Sequence, residues 1–325
     1  MRKALSGWAL PLLLSLLGWI PALMCSNKFG ISLALHYICI YKLTERMKIF
    51  VKYILLFFAI LWANCSVPAD AWAQDTLTLH HVQRNVEERV KEFHALAFRV
   101  DMQMPVSGDA LQDSVDAWVE NLMAVSLQMT PSGPYASCED MATHYEQAFV
   151  EGVTAEIKNI VKKRRKEKGE FRLTYTYDYT VRPVYETQGV ITFEAEAYVG
   201  YGEGEGKHLR RMATFRKADG GLLQWSDLVQ PRRMSSLHGL VADGLQSFFG
   251  MANYASLCDR LQLTGVKRNR FPLSKATPAL KADGIYVFYE VGEPTAAVTA
   301  EAWAIVPYAA MNKLWKPGAR KLCGK

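Results

Sequence analysis

Two glutamates one residue apart, Glu194 and Glu196, and two adjacent histidines, His80 and His81, are the first places where this sequence could do chemistry. Paired carboxylates serve glycoside hydrolysis when they face each other across a substrate cleft at a defined separation. Two glutamates on one face of one strand do not supply that cleft. Adjacent histidines could start a metal site, but no further ligand lies at a workable spacing, and His94, His144, His208 and His238 are scattered. A solvated strand face and an exposed entry segment account for these residues. Neither H-E-x-x-H nor G-x-S-x-G occurs.

The glycine-rich run Gly200-Tyr201-Gly202-Glu203-Gly204-Glu205-Gly206 invites a phosphate-loop reading. Such a loop must follow a strand and open a helix, so that amides and the helix dipole point at the anion. Strand patterns flank this one on both sides, and Glu203 and Glu205 repel an anion, so a hairpin loop is expected. Three of the six cysteines lie in the first 73 residues; Cys138, Cys258 and Cys323 follow, far apart and without C-x-x-C spacing. In an oxidising compartment they form at most one disulfide, with Cys258–Cys323 the expected pair. No catalytic residue, metal ligand or cofactor site is assigned.

The segment beginning at Met47 decides the compartment. Lys48 and Lys52 precede an apolar run from Tyr53 to Trp62, and a more polar tail ends Ala71-Trp72-Ala73. This is the three-part pattern of a secretory signal peptide, and the run is well short of the roughly twenty residues that span a bilayer. Cleavage is expected after Ala73, leaving Gln74 first. Cys65 offers a rival reading as a lipidated cysteine, although Trp62-Ala63-Asn64 ahead of it fits a lipoprotein signal poorly. Residues 1–46 hold a second apolar run, Trp8–Met24, broken by Pro11 and Pro21. A start assigned too far upstream explains it; the alternative is a membrane anchor with an exported remainder.

The leader also explains the charge. The chain of 325 residues has 38 Lys and Arg against 32 Asp and Glu, a formal balance of +6. Residues 1–73 hold seven of the basic and two of the acidic side chains, which leaves 31 against 30 for residues 74–325. A nearly neutral domain lacks the positive footprint of a nucleic-acid binder.

The expected elements begin after a polar entry segment, residues 74–94. Leu96, Phe98, Val100, Met102, Met104 and Val106 alternate with polar residues as in a half-buried strand. Asp109 caps a helix carrying Leu111, Val115, Val119 and Leu122. Ser137 to Asp140 opens a second helix, which ends at the basic run Lys162–Lys168 and Gly169. That run suits a helix C-terminus, where the macrodipole favours cations; an anionic-polymer patch is the rival reading. From Phe171 the period becomes two, with Phe171, Leu173, Tyr175, Tyr177, Tyr179 and Val181 on one face. Two more strands follow, making an antiparallel meander with one wet face. Ser226 or Asp227 then caps a short turn, and residues 235–249 form a third helix. Gly284 begins one strand, residues 298–306 supply the last, and Pro307 opens a closing helix. The expected fold is α+β: one antiparallel sheet of five to six strands with three to four helices, ordered β-α-α-β-β-β-α-β-β-α. Its parts are 95–169 (a strand and two helices) and 170–325 (sheet and helix).

The strand FRLTYTYDYTV and the stretches FRKADGGLLQWSDLV, LKADGIYVFYE and IVPYAAM resemble the exported domain of RsiV-type anti-sigma factors. That domain, of unknown function, also occurs beside certain polysaccharide deacetylases and in many Bacteroidetes envelope proteins. The resemblance covers roughly Leu96 to Leu314. It departs where relatives carry a Gly-Gly-Ala-His-like segment, which only His208 approximates here, and where Val291–Thr299 replaces an Ala-Pro-Tyr-Ala segment. An anti-sigma factor also needs a cytoplasmic segment, which cleavage after Ala73 removes. The resemblance thus implies fold and compartment rather than that role. The expected protein is exported across the inner membrane, to the periplasm or cell surface, and touches membrane only through its leader or a lipid anchor. It is expected to bind a macromolecule non-catalytically, either a lysozyme-like protein or a peptidoglycan-type glycan. The alternatives are a hydrolase with an unrecognised site, or a membrane-anchored signalling protein if residues 1–46 are translated.

Overall fold

The strongest period-two stretches of the sequence form the middle of a five-stranded sheet. The structure, a computed structural model, describes residues 77–91, 94–164 and 171–324, all within the unit Gln74–Lys325. The leader, Cys65 and the Ala73–Gln74 junction lie outside the described residues. The large sheet has the order β1 (Leu79–Lys91), β2 (His94–Pro105), β3 (Thr174–Glu186), β4 (Val190–Gly200), β5 (Lys207–Arg216). Between β2 and β3 the chain makes α1 (Ala110–Ser126) and α2 (Cys138–Arg164). Asp109 caps α1 by accepting from the Leu111 and Gln112 amides at 2.9 and 3.2 Å, and Ser137 Oγ accepts from the Asp140 amide at 3.1 Å. Both capping residues stand where the sequence puts them.

Three features depart from expectation. The polar entry segment is itself a strand, β1. Its helix-facing side chains are His80, Val82 and Arg84; Val82 is buried, while His80 reaches Glu139 and Arg84 reaches Glu146 and Thr143 of α2. Long polar side chains thus cover α2 at the rim of the sheet, which conceals the strand's inner face in the sequence. Second, β2 and β3 run parallel, with Ala95 opposite Thr174 and Met102 opposite Val181, and the other pairs are antiparallel. Parallel neighbours need a long crossover, and α1 and α2 provide it.

Third, there are two sheets. The second is the meander β6 (Ala279–Leu280), β7 (Gly284–Tyr289), β8 (Ala302–Pro307). Before it come α3 (Trp225–Leu228), α4 (Met234–Phe248) and α5 (Tyr254–Arg260), and after it a 3-10 turn (Tyr308–Met311) and α6 (Ala319–Leu322). Asp227 lies inside α3, where its carboxylate accepts from the Gln224 amide at 2.8 Å; Gln224 is the cap. The closing helix expected after Pro307 is only that 3-10 turn. Among the described residues no helix is long and apolar enough to cross a membrane.

The core is built in two parts. α1 and α2 cover one face of the large sheet, and Phe98, Phe149 and Tyr177 meet with ring centroids 5.2–6.0 Å apart. Tyr175, Tyr177 and Tyr179 are fully buried there; Tyr177 Oη pairs with Ser126 Oγ at 2.9 Å, and Tyr179 Oη donates to the Val119 carbonyl at 3.3 Å. α4 and α5 pack on β7 and β8 in a second core that includes Leu245, Ile285, Ala304 and Val306. The far side of β4 and β5 is not the wet face expected. Residues 190–195 are buried without exception, because β6 lies over them: the Leu280 amide donates to Thr214 Oγ1 at 2.9 Å, and Thr214 pairs with Thr192 at 2.8 Å.

α4 approaches β8 closely at Gly244, where a Cβ would lie 2.9 Å from Ala304 Cβ and from the Ile305 amide nitrogen and carbonyl oxygen. Gly152, on exposed α2, has open space around it. Gly152→Ala is therefore expected to stabilise the domain by about 0.5–1 kcal/mol, the usual helix gain. Gly244→Ala is expected to destabilise it by about 1–3 kcal/mol through overpacking. Urea unfolding of both variants checks the opposite signs.

Candidate functional site

The histidine pair does not come together. β1 turns successive side chains to opposite faces of the sheet, so His80 reaches Glu139 on α2 while His81 meets Asp101 of β2 at 2.6 Å. All four side chains are about half exposed. Among the described residues no group of three or more His, Cys, Asp or Glu is arranged to hold a metal ion. The glycine-rich run closes the β4–β5 hairpin, and Glu203 within it pairs with Arg164 at the end of α2 at 3.1 Å. No helix opens there, so the phosphate-loop geometry is absent. Lys162, Lys163 and Arg164 do fall in the last turn of α2; residues 165–170 of the basic run lie outside the described residues.

Glu194 and Glu196 do share a face of β4, but guanidinium groups occupy the space a substrate would need. Glu194 is 2% exposed, and the Nε and Nη2 of Arg210 on β5 both bond it. Arg210 Nε also lies 3.3 Å from Glu196, and Arg182 on β3 reaches both carboxylates at 3.7 and 3.9 Å. Next along β5, Arg211 holds Glu290 at 2.8 Å and Glu301 at 2.7 Å, tying the large sheet to the ends of β7 and β8. A buried carboxylate is tolerated when charge-assisted hydrogen bonds replace its lost hydration. This cluster is a seam between the sheets rather than a cleft.

One arrangement that leaves room for a ligand lies elsewhere. On α1, Asp113, Asp116 and Glu120 follow the i, i+3, i+7 spacing that places them on one stripe. They face Gly133–Tyr135 and the first turn of α2 across a groove of about 470 Å³, which Ser137, Cys138 and Met141 complete. Glu120 Oε1 accepts from the Ser132 and Gly133 amides at 2.8 and 2.6 Å, so it shapes the loop that forms one rim. The Cys138 thiol donates to Asp116 Oδ1 at 3.3 Å. Burial raises the pKa of Asp116 above the ordinary carboxylate range. Burial, with the Asp116 charge beside it, pushes the Cys138 thiol up to about 12. The thiol therefore stays protonated near neutral pH and is no nucleophile.

The apolar stripe of α1 is the one that its burial pattern makes plain, and this acidic stripe runs beside it. The signal was present as three acids at helical spacing, but what faces them is set by the turn before α2. The expected Cys258–Cys323 disulfide is not formed. Cys138, Cys258 and Cys323 are all thiols. Cys258 stands on α5 beside Tyr254, whereas Cys323 is enclosed beyond α6, where Tyr185 Oη donates to its carbonyl at 2.8 Å.

The raised pKa of Asp116 has a signed consequence. A carboxyl that titrates higher in the folded chain than in the unfolded one opposes folding once it is ionised. That opposition is full above the folded pKa and disappears below the unfolded value near 4. Asp116→Asn keeps an acceptor for Cys138 and is expected to raise the melting temperature at pH 7. The gain should shrink as the pH falls through the folded pKa of Asp116. Thermal melts from pH 7 down to pH 3.5 read this directly; a gain independent of pH would point to another cause.

No family profile matches the sequence, and no curated protein matches it. Solved structures do. A DUF3298 family protein from Bacteroides fragilis superposes with a TM-score of 0.57 at 16% identity, covering 77% of this chain and 98% of its own. A DUF3298 family protein from Pseudomonas aeruginosa superposes with a TM-score of 0.50 at 15% identity, covering 76% of this chain and 97% of its own. The two-sheet α+β fold described above is therefore the fold of these DUF3298 proteins.

Proposed function

We propose that this chain is an exported envelope protein whose domain holds a macromolecular ligand without transforming it, in the manner of the RsiV-like domain its local stretches resemble. The observation that carries the reading is the groove between α1 and α2. One wall is acidic, from Asp113, Asp116 and Glu120, and the opposite side offers Tyr135 and Met141. Such a surface suits a protein that presents Lys or Arg side chains beside apolar area, because complementary charge steers encounter and fixes register. It favours a basic, lysozyme-type hydrolase over an uncharged glycan as the ligand. Glu194, outside the groove, neutralises Arg210, and within it Glu120 holds the loop at its rim while Cys138 keeps its proton.

A second reading has one observation in its favour. Asp113, Asp116 and Glu120 converge on one groove, and a carboxyl with a raised pKa is what a general acid needs. On this reading the protein cleaves a cell-wall or other glycan, with Asp116 as proton donor.

The purified protein is expected to retain a lysozyme-type hydrolase in a pull-down, and Asp113→Lys is expected to weaken that retention at least tenfold with an unchanged circular dichroism spectrum. Specific retention on peptidoglycan alone would move the ligand to the glycan. Release of reducing sugar that Asp116→Asn abolishes would establish the second reading. Mass spectrometry of the N-terminal peptide from the native host separates an exported chain starting at Gln74 from an anchored one starting at Met1.

A further inference from the structure

β1 is the outer strand of the large sheet, and its far side has no strand partner among the described residues. At thirteen residues it is long for an edge, and its register shift between Arg89 and Lys91 leaves Leu79–Arg89 regular; edges of that length are normally shortened, bulged or covered because their free amides and carbonyls accept another strand. The alternation of its side chains carries the next step. Val82, Arg84, Val86 and Glu88 share parity ahead of that shift, and Val82 and Arg84 are seen on the α2 side.

We infer that β1 pairs antiparallel with β1 of a second copy of this chain, about a twofold axis through Val86. In that register Val86 meets its own copy, and Arg84 faces Glu88 of the second copy twice over. Apolar residues meet apolar ones and opposite charges meet, which are the pairs that stabilise neighbouring strands. The adjacent registers lose this match. A centre at Asn85 sets Val82 against Glu88 and Arg84 against Val86; a centre at Glu87 sets that carboxylate against itself. A centre at Arg84 does the same with guanidinium groups. One register is therefore selected, as an ordered sheet edge requires.

The charges on β1 admit a simpler account, that they only blunt the edge. Blunting is served by any charges, whereas an arrangement that mates with its own reversal is specific to a twofold. Glu88 is exposed, and Arg84 approaches from a chain already steadied by Glu146 and Thr143. The result is a continuous ten-stranded sheet with both helix layers on the same face. The pairing does not depend on what the α1–α2 groove binds.

Two measurements test it. By light scattering at tens of micromolar, the protein is expected at twice the chain mass. Glu88→Arg, which sets Arg against Arg, is expected to give the monomer, and Arg84→Glu combined with Glu88→Arg to restore the dimer. Independently, Val86→Cys is expected to yield a disulfide-linked dimer under mild oxidation, because opposed residues of antiparallel strands stand about 4.5–5.5 Å apart; Gln83→Cys is expected not to. A monomeric parent that Val86→Cys fails to cross-link, or a dimer indifferent to Glu88→Arg, overturns the proposal.

Discussion

β4 is dry on both faces over its first six residues, and the rest of the domain is arranged around that condition. One face belongs to the core under α1 and α2, and the other is closed by the second sheet. A strand so placed cannot leave a polar side chain to water. Thr192 is met by Thr214, which in turn accepts from the backbone of β6, and Glu194 is met by Arg210. Removing one partner of such a set leaves the other buried and unpaired, which costs more than the bond itself contributes. The same groups fix which residues of the two sheets lie opposite one another, so specificity of assembly follows from the burial.

The tyrosine-rich strand solves a related problem. Three phenol rings in a row fill the space beneath two helices, and burial raises the pKa of each. Tyr177 carries its hydroxyl to Ser126 at the end of α1, and Tyr179 carries its own to the Val119 carbonyl about two turns earlier. Phenylalanine would fill the same volume but would not bond to the helix. The polar tips therefore orient α1 on the sheet, while the rings supply the apolar contact.

Legibility followed the reach of each signal. The alternation at Leu96–Met104 and Leu173–Val181 and the cap at Asp109 depend on local backbone geometry, and they stand where the sequence places them, whereas Val106 falls past the end of β2 and is exposed. β1 was missed because its inner face is covered by Arg84 and His80 rather than by aliphatic residues. The wet face assigned to Glu194 was wrong because what covers that side of the sheet comes from far along the chain: Leu280 of β6 bonds Thr214, and Glu301 holds Arg211. The groove depends on Asp113, Asp116 and Glu120 meeting the turn at Gly133–Tyr135, and no periodicity of α1 reports that encounter.

The parallel seam between β2 and β3 bears on the order in which the chain assembles. It joins Ala95 to Thr174, 79 positions apart, whereas β3, β4 and β5 close through short hairpins. Loop-closure entropy must be met before distant contacts return anything. The three-stranded meander is thus the part that can organise itself early. The N-terminal strand pair must wait for α1 and α2 to fold back across it. The seam that makes the sheet continuous therefore forms after the meander, and until it does, β3 offers an open edge in the middle of the future sheet.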